Sequence, residues 1–157
     1  MYSEKDLDGL HAQLKRREGI LFALLALFLA GIVVSLIVRI EALTAGLTIA
    51  AGVLAIAVYD LALRPIKCYI THVDNMLHGR TREIDGIFRS LSDEVSLVDG
   101  VSYHALTLEV PDDKGNPTER LFYFDLQKDF PAYQPGEVLH VVYHDREIAS
   151  LALKMQE

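Results

Sequence analysis

Two apolar runs constrain everything else this chain can do. From Ile20 to Val38 it reads ILFALLALFLAGIVVSLIV, without a charge, and from Ala42 to Leu63 it reads ALTAGLTIAAGVLAIAVYDLAL, with Asp60 as its one acid. A helix rising ~1.5 Å per residue over either run would cross a hydrocarbon core of ~30 Å. Only Arg39, Ile40 and Glu41 stand between the runs, so the expectation is an antiparallel hairpin with a tight turn, spans 20–38 and 42–63. A cleaved signal peptide behind Lys15, Arg16 and Arg17 is the competing explanation of the first run. It fits less well, because a signal core is usually ~7–15 residues and a second spanning-length run follows at once.

Basic residues beside the runs give an orientation. Lys15, Arg16 and Arg17 precede the first, Arg64 and Lys67 follow the second, and Arg39 alone lies in the turn. The positive-inside rule then predicts a cell-membrane protein with both termini cytoplasmic. The sole cysteine, Cys68, excludes an intrachain disulfide and is compatible with a reducing compartment; its place after the second run also permits palmitoylation.

Charge divides the chain at the same point. Lys5, Lys15, Arg16, Arg17, Arg39 and Arg64 balance Glu4, Asp6, Asp8, Glu18, Glu41 and Asp60, so the net charge of −7 belongs to the polar C-terminal part. An acidic domain without a basic, aromatic-interleaved stripe disfavours nucleic acid as a partner. It should also stand off from an anionic lipid surface.

Outside the runs, two helical and several extended segments are predicted. SEKDLDGLHAQLKRRE has Ser3 and Asp6 in the pattern of a capping box and Leu7, Leu10 and Leu14 at helical spacing, giving an amphipathic N-terminal helix over 1–19. PIKCYITHVDNMLHG keeps a helical period through Ile66, Tyr69, Ile70, Val73, Met76 and Leu77, giving a helical neck over 64–79. From Thr81 the period becomes that of strands: TREIDGIFRSLS, EVSLV, VSYHALTLEV, ERLFYFDL, EVLHVVYH and EIASLALK. Asp99–Gly100, PDDKGNP and Pro135–Gly136 are turn-like breaks between them. Six short strands predict a small antiparallel β-barrel, OB-like or SH3-like, over 80–157, with Gly86 as a bulge that lets the sheet curl. The fold class is thus an α+β membrane protein, a two-helix hairpin followed by a β-barrel.

With a membrane hairpin, a small barrel, the DG turn and the late strand PGEVLHVVY, the chain resembles the NfeD-like proteins of bacteria over roughly residues 20–154. The resemblance implies a C-terminal OB-type barrel without catalytic activity, and a role in membrane-protein quality control or membrane organisation beside a partner protein.

The densest group of polar letters is HVVYHDREI, His140 to Ile148. In a strand His140 and His144 share a face, but their Cα atoms stand ~13 Å apart. Zinc–nitrogen bonds of ~2.0–2.1 Å cannot bridge that gap. The helical alternative lacks the Glu of an HExxH motif. HDRE is therefore expected to be a hairpin corner, with Asp145 in the turn and Leu139, Val141 and Tyr143 facing the core. A metal would need one of these histidines and a cross-strand partner such as His104. No nucleophile elbow, P-loop or dinucleotide fingerprint is present, so no catalytic residue, cofactor or metal is assigned.

Two groups of residues remain as candidates. Ala23, Ala26 and Ala30 on the first span, with Ala42, Ala45, Gly46, Ala50 and Gly52 on the second, form small-residue stripes. Such stripes let helix backbones approach in lipid, so they are expected to pack on each other, and Gly46→Leu is expected to splay the hairpin. Asp60 with Arg64, and Phe122, Tyr123 and Phe124, are candidate interaction residues; for the aromatic run, a core strand is weighed against an exposed patch. The function expected is that of a non-enzymatic accessory or scaffold protein in the lipid bilayer, binding a protein partner or forming a homo-oligomer. The alternative is a ligand- or ion-sensing module that signals through the neck.

Overall fold

The computed structural model describes residues 1–112 and 115–154, and the chain forms two compact units. One is Asp8–Ile70; the other joins Met1–Leu7 to the chain from Thr71 onward. The N-terminal turn and the second half of the neck thus belong with the barrel rather than with the helices between them.

Helix α1 runs unbroken from Glu4 to Val38, through Gly9 and Gly19. Its start is a reciprocal cap: the Ser3 N–H donates to Asp6 Oδ2 at 3.2 Å and the Asp6 N–H to Ser3 Oγ at 3.3 Å. Arg39 makes the turn in the left-handed region, at φ 59°, and α2 spans Glu41–Val58. A π-helical turn, Tyr59–Leu63, leads into α3, Arg64–His78. Both apolar helices are long and apolar enough to cross a membrane.

Within this unit α1 and α2 lie antiparallel and side by side. Ser35 Oγ donates to the Ile40 carbonyl at 3.0 Å and meets Thr44 Oγ1 at 2.8 Å; Arg17 donates to the Ala62 carbonyl at 3.1 Å; Glu18 pairs with Lys67 at 3.3 Å. A Cβ on Gly31 would stand 3.4 Å from Leu47 Cδ1. The covered faces carry Leu21, Leu25, Phe28 and Ser35 on α1, and Thr44, Leu47, Leu54 and Val58 on α2. This corrects the expected seam. Ala23, Ala26, Ala30, Ala42, Ala45, Gly46, Ala50 and Gly52 are all exposed, and a Cβ at Gly46 or Gly52 would meet nothing within 4 Å. The turn decides the outcome. Its hydroxyl pair sets Thr44 against Ser35, and at ~100° per residue Gly46 then faces away.

The second unit is built on a closed five-stranded barrel in the order β1-β2-β3-β5-β4. The strands are β1 Arg82–Val98, β2 Val101–Pro111, β3 Pro117–Asp125, β4 Val138–His144 and β5 Glu147–Leu153. All neighbours are antiparallel except β3 and β5, which meet in parallel at Tyr123 and Glu147. Five strands replace the expected six, because TREIDGIFRSLS and EVSLV are one strand. Ser92 and Asp93 between them bend the strand without ending it, the Glu94 N–H donating to Ser92 Oγ at 3.1 Å, and the register slips between Phe88 and Ser90 and between Leu91 and Val95 absorb the bend. Gly86 is not the bulge. It sits in regular register opposite Leu139, and a Cβ there would lie 2.8 Å from Val110 Cγ1, so its bare backbone admits β2.

Alternation fills the barrel with Phe88, Leu106, Leu108, Phe122, Phe124, Leu139, Val141 and Ile148. The segment after β3 adds Phe130, whose ring lies 5.6 Å from Phe88 and 5.1 Å from Phe124. The hairpin corner forms as expected: Asp145 turns at φ 54° between β4 and β5, and Leu139, Val141 and Tyr143 are buried. Asp99 and Gly100 turn β1 into β2 at φ 50° and 81°. Of the expected PDDKGNP turn, residues 113 and 114 lie outside the described residues, as do 155–157 of the expected barrel domain.

Candidate functional site

The histidines that crowd the C-terminal sequence go separate ways. His140 Nδ1 meets Asp85 Oδ1 at 2.7 Å on the surface, His144 Nδ1 donates to the Arg80 carbonyl at 2.9 Å, and His104 Nδ1 to the Ser92 carbonyl at 2.9 Å. Among the described residues no three of His, Cys, Asp and Glu converge as metal ligands would.

The polar centre of the barrel unit forms around a different histidine. β2 changes phase along its length: Leu106, Leu108 and Val110 point into the barrel, while Val101 and Tyr103 are buried on the other face. On β3, Phe122 and Phe124 point in and Tyr123 and Asp125 out. α3 and the Met1–Leu7 segment place His72 and Tyr2 against that outer face. His72 is 4% exposed and Asp125 1%.

His72 Nδ1 lies 3.0 Å from Glu147 Oε2 and 3.0 Å from the Tyr103 hydroxyl, which itself donates to Glu147 Oε1 at 3.0 Å. His72 Nε2 lies 2.9 Å from the Tyr2 hydroxyl, which donates to Asp125 Oδ2 at 3.0 Å. The Gln127 N–H donates to the other Asp125 oxygen at 2.8 Å. Tyr2 and Tyr103 both stand edge-on to the imidazole, each with ring centroids 5.4 Å away. Around this centre Lys128 pairs with Asp6 at 3.2 Å and lies over the Tyr2 ring, and Glu4 meets His78 at 3.1 Å.

The electrostatics follow from burial and pairing. Burial pushes the Glu147 carboxyl up, but the hydrogen bond and charge of His72, with the Tyr103 hydroxyl, outweigh it and hold the group below the usual carboxylate range. Burial first, then the adjacent Glu147 charge, push the Tyr103 hydroxyl far above the usual tyrosine range. No buried side-chain nitrogen or oxygen among the described residues lacks a partner. The cluster therefore acts as a polar cross-link that ties three pieces together: the N-terminal turn, α3 and the β2–β3–β5 face.

The other candidates resolve one by one. Asp60 and Arg64 form an exposed pair at 3.9 Å, one helical turn apart. Phe122 and Phe124 are core residues, which corrects the exposed-patch alternative: alternation turns both inward, and only Tyr123 faces the other way, 5.7 Å from the Tyr103 ring. Leu121 and Leu126, which flank the aromatic run, are exposed, but the most exposed apolar residues of the barrel strands lie elsewhere. β4 accompanies β1 only from Arg82 to Ile87, and the Phe88 backbone bonds to Gly136 and Glu137; from Arg89 to Val98 no described strand covers that edge of β1. This extension carries Val95, 55% exposed, and Leu97, 72% exposed.

Sequence reasoning missed His72, Tyr2, Tyr103, Asp125 and Glu147. One local signal existed: His72 interrupts the apolar face of α3 between Tyr69 and Met76. The rest depends on contacts between residues far apart in the chain.

No protein-family model matches the chain, and no curated protein or solved structure matches it at a significant level.

Proposed function

We propose that this protein is a membrane-anchored, non-enzymatic adaptor: a two-span hairpin with both termini cytoplasmic, carrying an OB-type barrel that binds a partner protein, as the resemblance to NfeD-like proteins implies. The observation that carries this reading is the uncovered β1 edge, Arg89–Val98, with Val95 and Leu97 exposed upon it. An open edge with apolar side chains is a template on which an extended segment of another protein adds a strand. The anchor is supported by the exposed apolar faces of α1 and α2, and the OB-type reading by the closed five-strand order. A hairpin that enters and leaves by one face is supported by Tyr2 and His72, which precede and follow the two helices yet touch each other.

The sensing alternative draws support from His72, which carries α3 into the same cluster as β2 and β5.

Affinity purification of the full chain in mild detergent tests the adaptor reading. A stoichiometric protein partner is expected, lost in Leu97→Asp with the melting curve of the chain unchanged. A partner retained equally by the variant, or no stoichiometric partner at all, would overturn it. Cysteine labelling at Glu41 and Gly115 in a Cys68→Ser background tests orientation: position 115 is expected to stay closed to an impermeant reagent in intact cells.

A further inference from the structure

The parallel contact between β3 and β5 is confined to Tyr123 and Glu147, and on the N-terminal side of that pair the two strands part. The gap is a polar cleft of about 450 Å³ between the first residue of β1, the middle of β3 and the β4–β5 turn. Three arginines line it, each from a different segment: Arg82, Arg120 and Arg146. Glu119 and Asp145 share the cleft, yet among the described residues none of the three guanidinium groups makes an ion pair. By contrast Arg89 pairs with Glu109, Lys128 with Asp6 and Lys154 with Asp85.

The cleft has a second, independent feature. Its inner wall is Phe122 against Tyr143, rings edge-to-face at 5.0 Å. Tyr143 is 9% exposed and lines the cleft, and since no buried side-chain oxygen among the described residues is left unpaired, its hydroxyl lies where solvent reaches it. The hydroxyl is thus available as a donor to whatever occupies the cleft that Tyr143 lines.

From these two observations we propose that the cleft is an anion site for a phosphate group, held by the planar donors of Arg82, Arg120 and Arg146 with the Tyr143 hydroxyl as a further donor. Guanidinium forks match the paired oxygens of a phosphate, and three of them outside any ion pair among the described residues, in a domain of net negative charge, mark one place where an anion is drawn rather than repelled. Glu119 and Asp145 also line the cleft and offset two of its three positive charges, which disfavours bulky polyanions and admits a single phosphate, whether on a soluble phosphoester or on a lipid headgroup. This site is separate from the β1 edge and stands or falls independently of the adaptor reading.

Calorimetric titration of the full chain in neutral detergent, in phosphate-free buffer at fixed ionic strength, tests the proposal with two probes: inorganic phosphate, and glycerophosphoglycerol, a phosphodiester headgroup without its tails. Saturable binding of at least one probe is expected. It should weaken about tenfold or more in Arg120→Gln/Arg146→Gln, roughly the worth of one lost charge-assisted bond. Arg89→Gln, whose partner is Glu109, should bind as the unaltered chain does. Preference for the headgroup would assign the site to lipid; preference for inorganic phosphate would assign it to a soluble ligand. No saturable heat with either probe up to ~10 mM, the weak end of specific affinities, would overturn the proposal, as would unchanged binding in the double variant.

Discussion

Both ring nitrogens of His72 reach buried oxygen atoms, so removing the imidazole leaves Glu147 and Asp125 without their common neighbour. Each carboxylate keeps another donor, Tyr103 for Glu147 and Tyr2 with Gln127 for Asp125, so His72→Ala should lose about 1–3 kcal/mol of barrel stability through its own broken hydrogen bonds, read by denaturant unfolding of the full chain. His140→Gln/His144→Gln together should cost under about 1 kcal/mol, because those rings make surface contacts. A loss of similar size in both variants would contradict the cross-link. Acid provides a second measurement. Glu147 is held below its unfolded value of about 4.3, so its contribution is complete above that pH and disappears as pH falls through the lower folded value. Glu147→Gln should therefore flatten the fall in stability below pH ~4.3, and an unchanged acid limb would contradict this. The crowded letters of His140–Glu147 drew attention because they are neighbours in sequence, and adjacency there means only a hairpin corner. His72 stood alone among apolar letters, and nothing local revealed that Tyr2, Asp125 and Glu147 would meet it.

At the scale of elements, period and punctuation carried most of the fold. Two apolar runs and a three-residue break are enough to specify α1, α2 and their turn; DG and HDRE specify two of the β-hairpins. Which face of each helix meets the other was not legible, since small residues and leucines both offer plausible seams and the choice is made by Ser35 and Thr44 at the turn. The same ambiguity affected β1, where irregular register substituted for a turn. The helix seam gives a clear comparison. Gly31→Leu should push against Leu47 and reduce cross-linking between cysteines placed at Phe28 and Leu54, while Gly46→Leu should leave it unchanged. Equal disruption by both would return the seam to the small-residue stripes.

At the scale of the whole molecule, the barrel unit is discontinuous: Met1–Leu7 belongs to it, and Asp8–Ile70 lies between that segment and the remainder. Deleting residues 1–7 should remove the Tyr2, Glu4 and Asp6 contacts, speed amide exchange in the second half of α3 and at Asp125–Lys128, and leave the inner barrel strands protected. Unchanged exchange in α3 would mean that the segment adds no order. The interleaving also has a consequence for assembly. Tyr2 is synthesised before the helices and His72 after them, and closing so long an unstructured loop would cost roughly 4 kcal/mol of chain entropy. Once Arg17 has met Ala62 and Glu18 has met Lys67, that cost has already been met by helix pairing, and the two ends emerge as neighbours. The hairpin then serves the barrel unit as a non-covalent staple. A long flexible insertion at Arg39 should be harmless while the helices stay paired; separating them should release the N-terminal turn from a barrel whose own sequence is untouched.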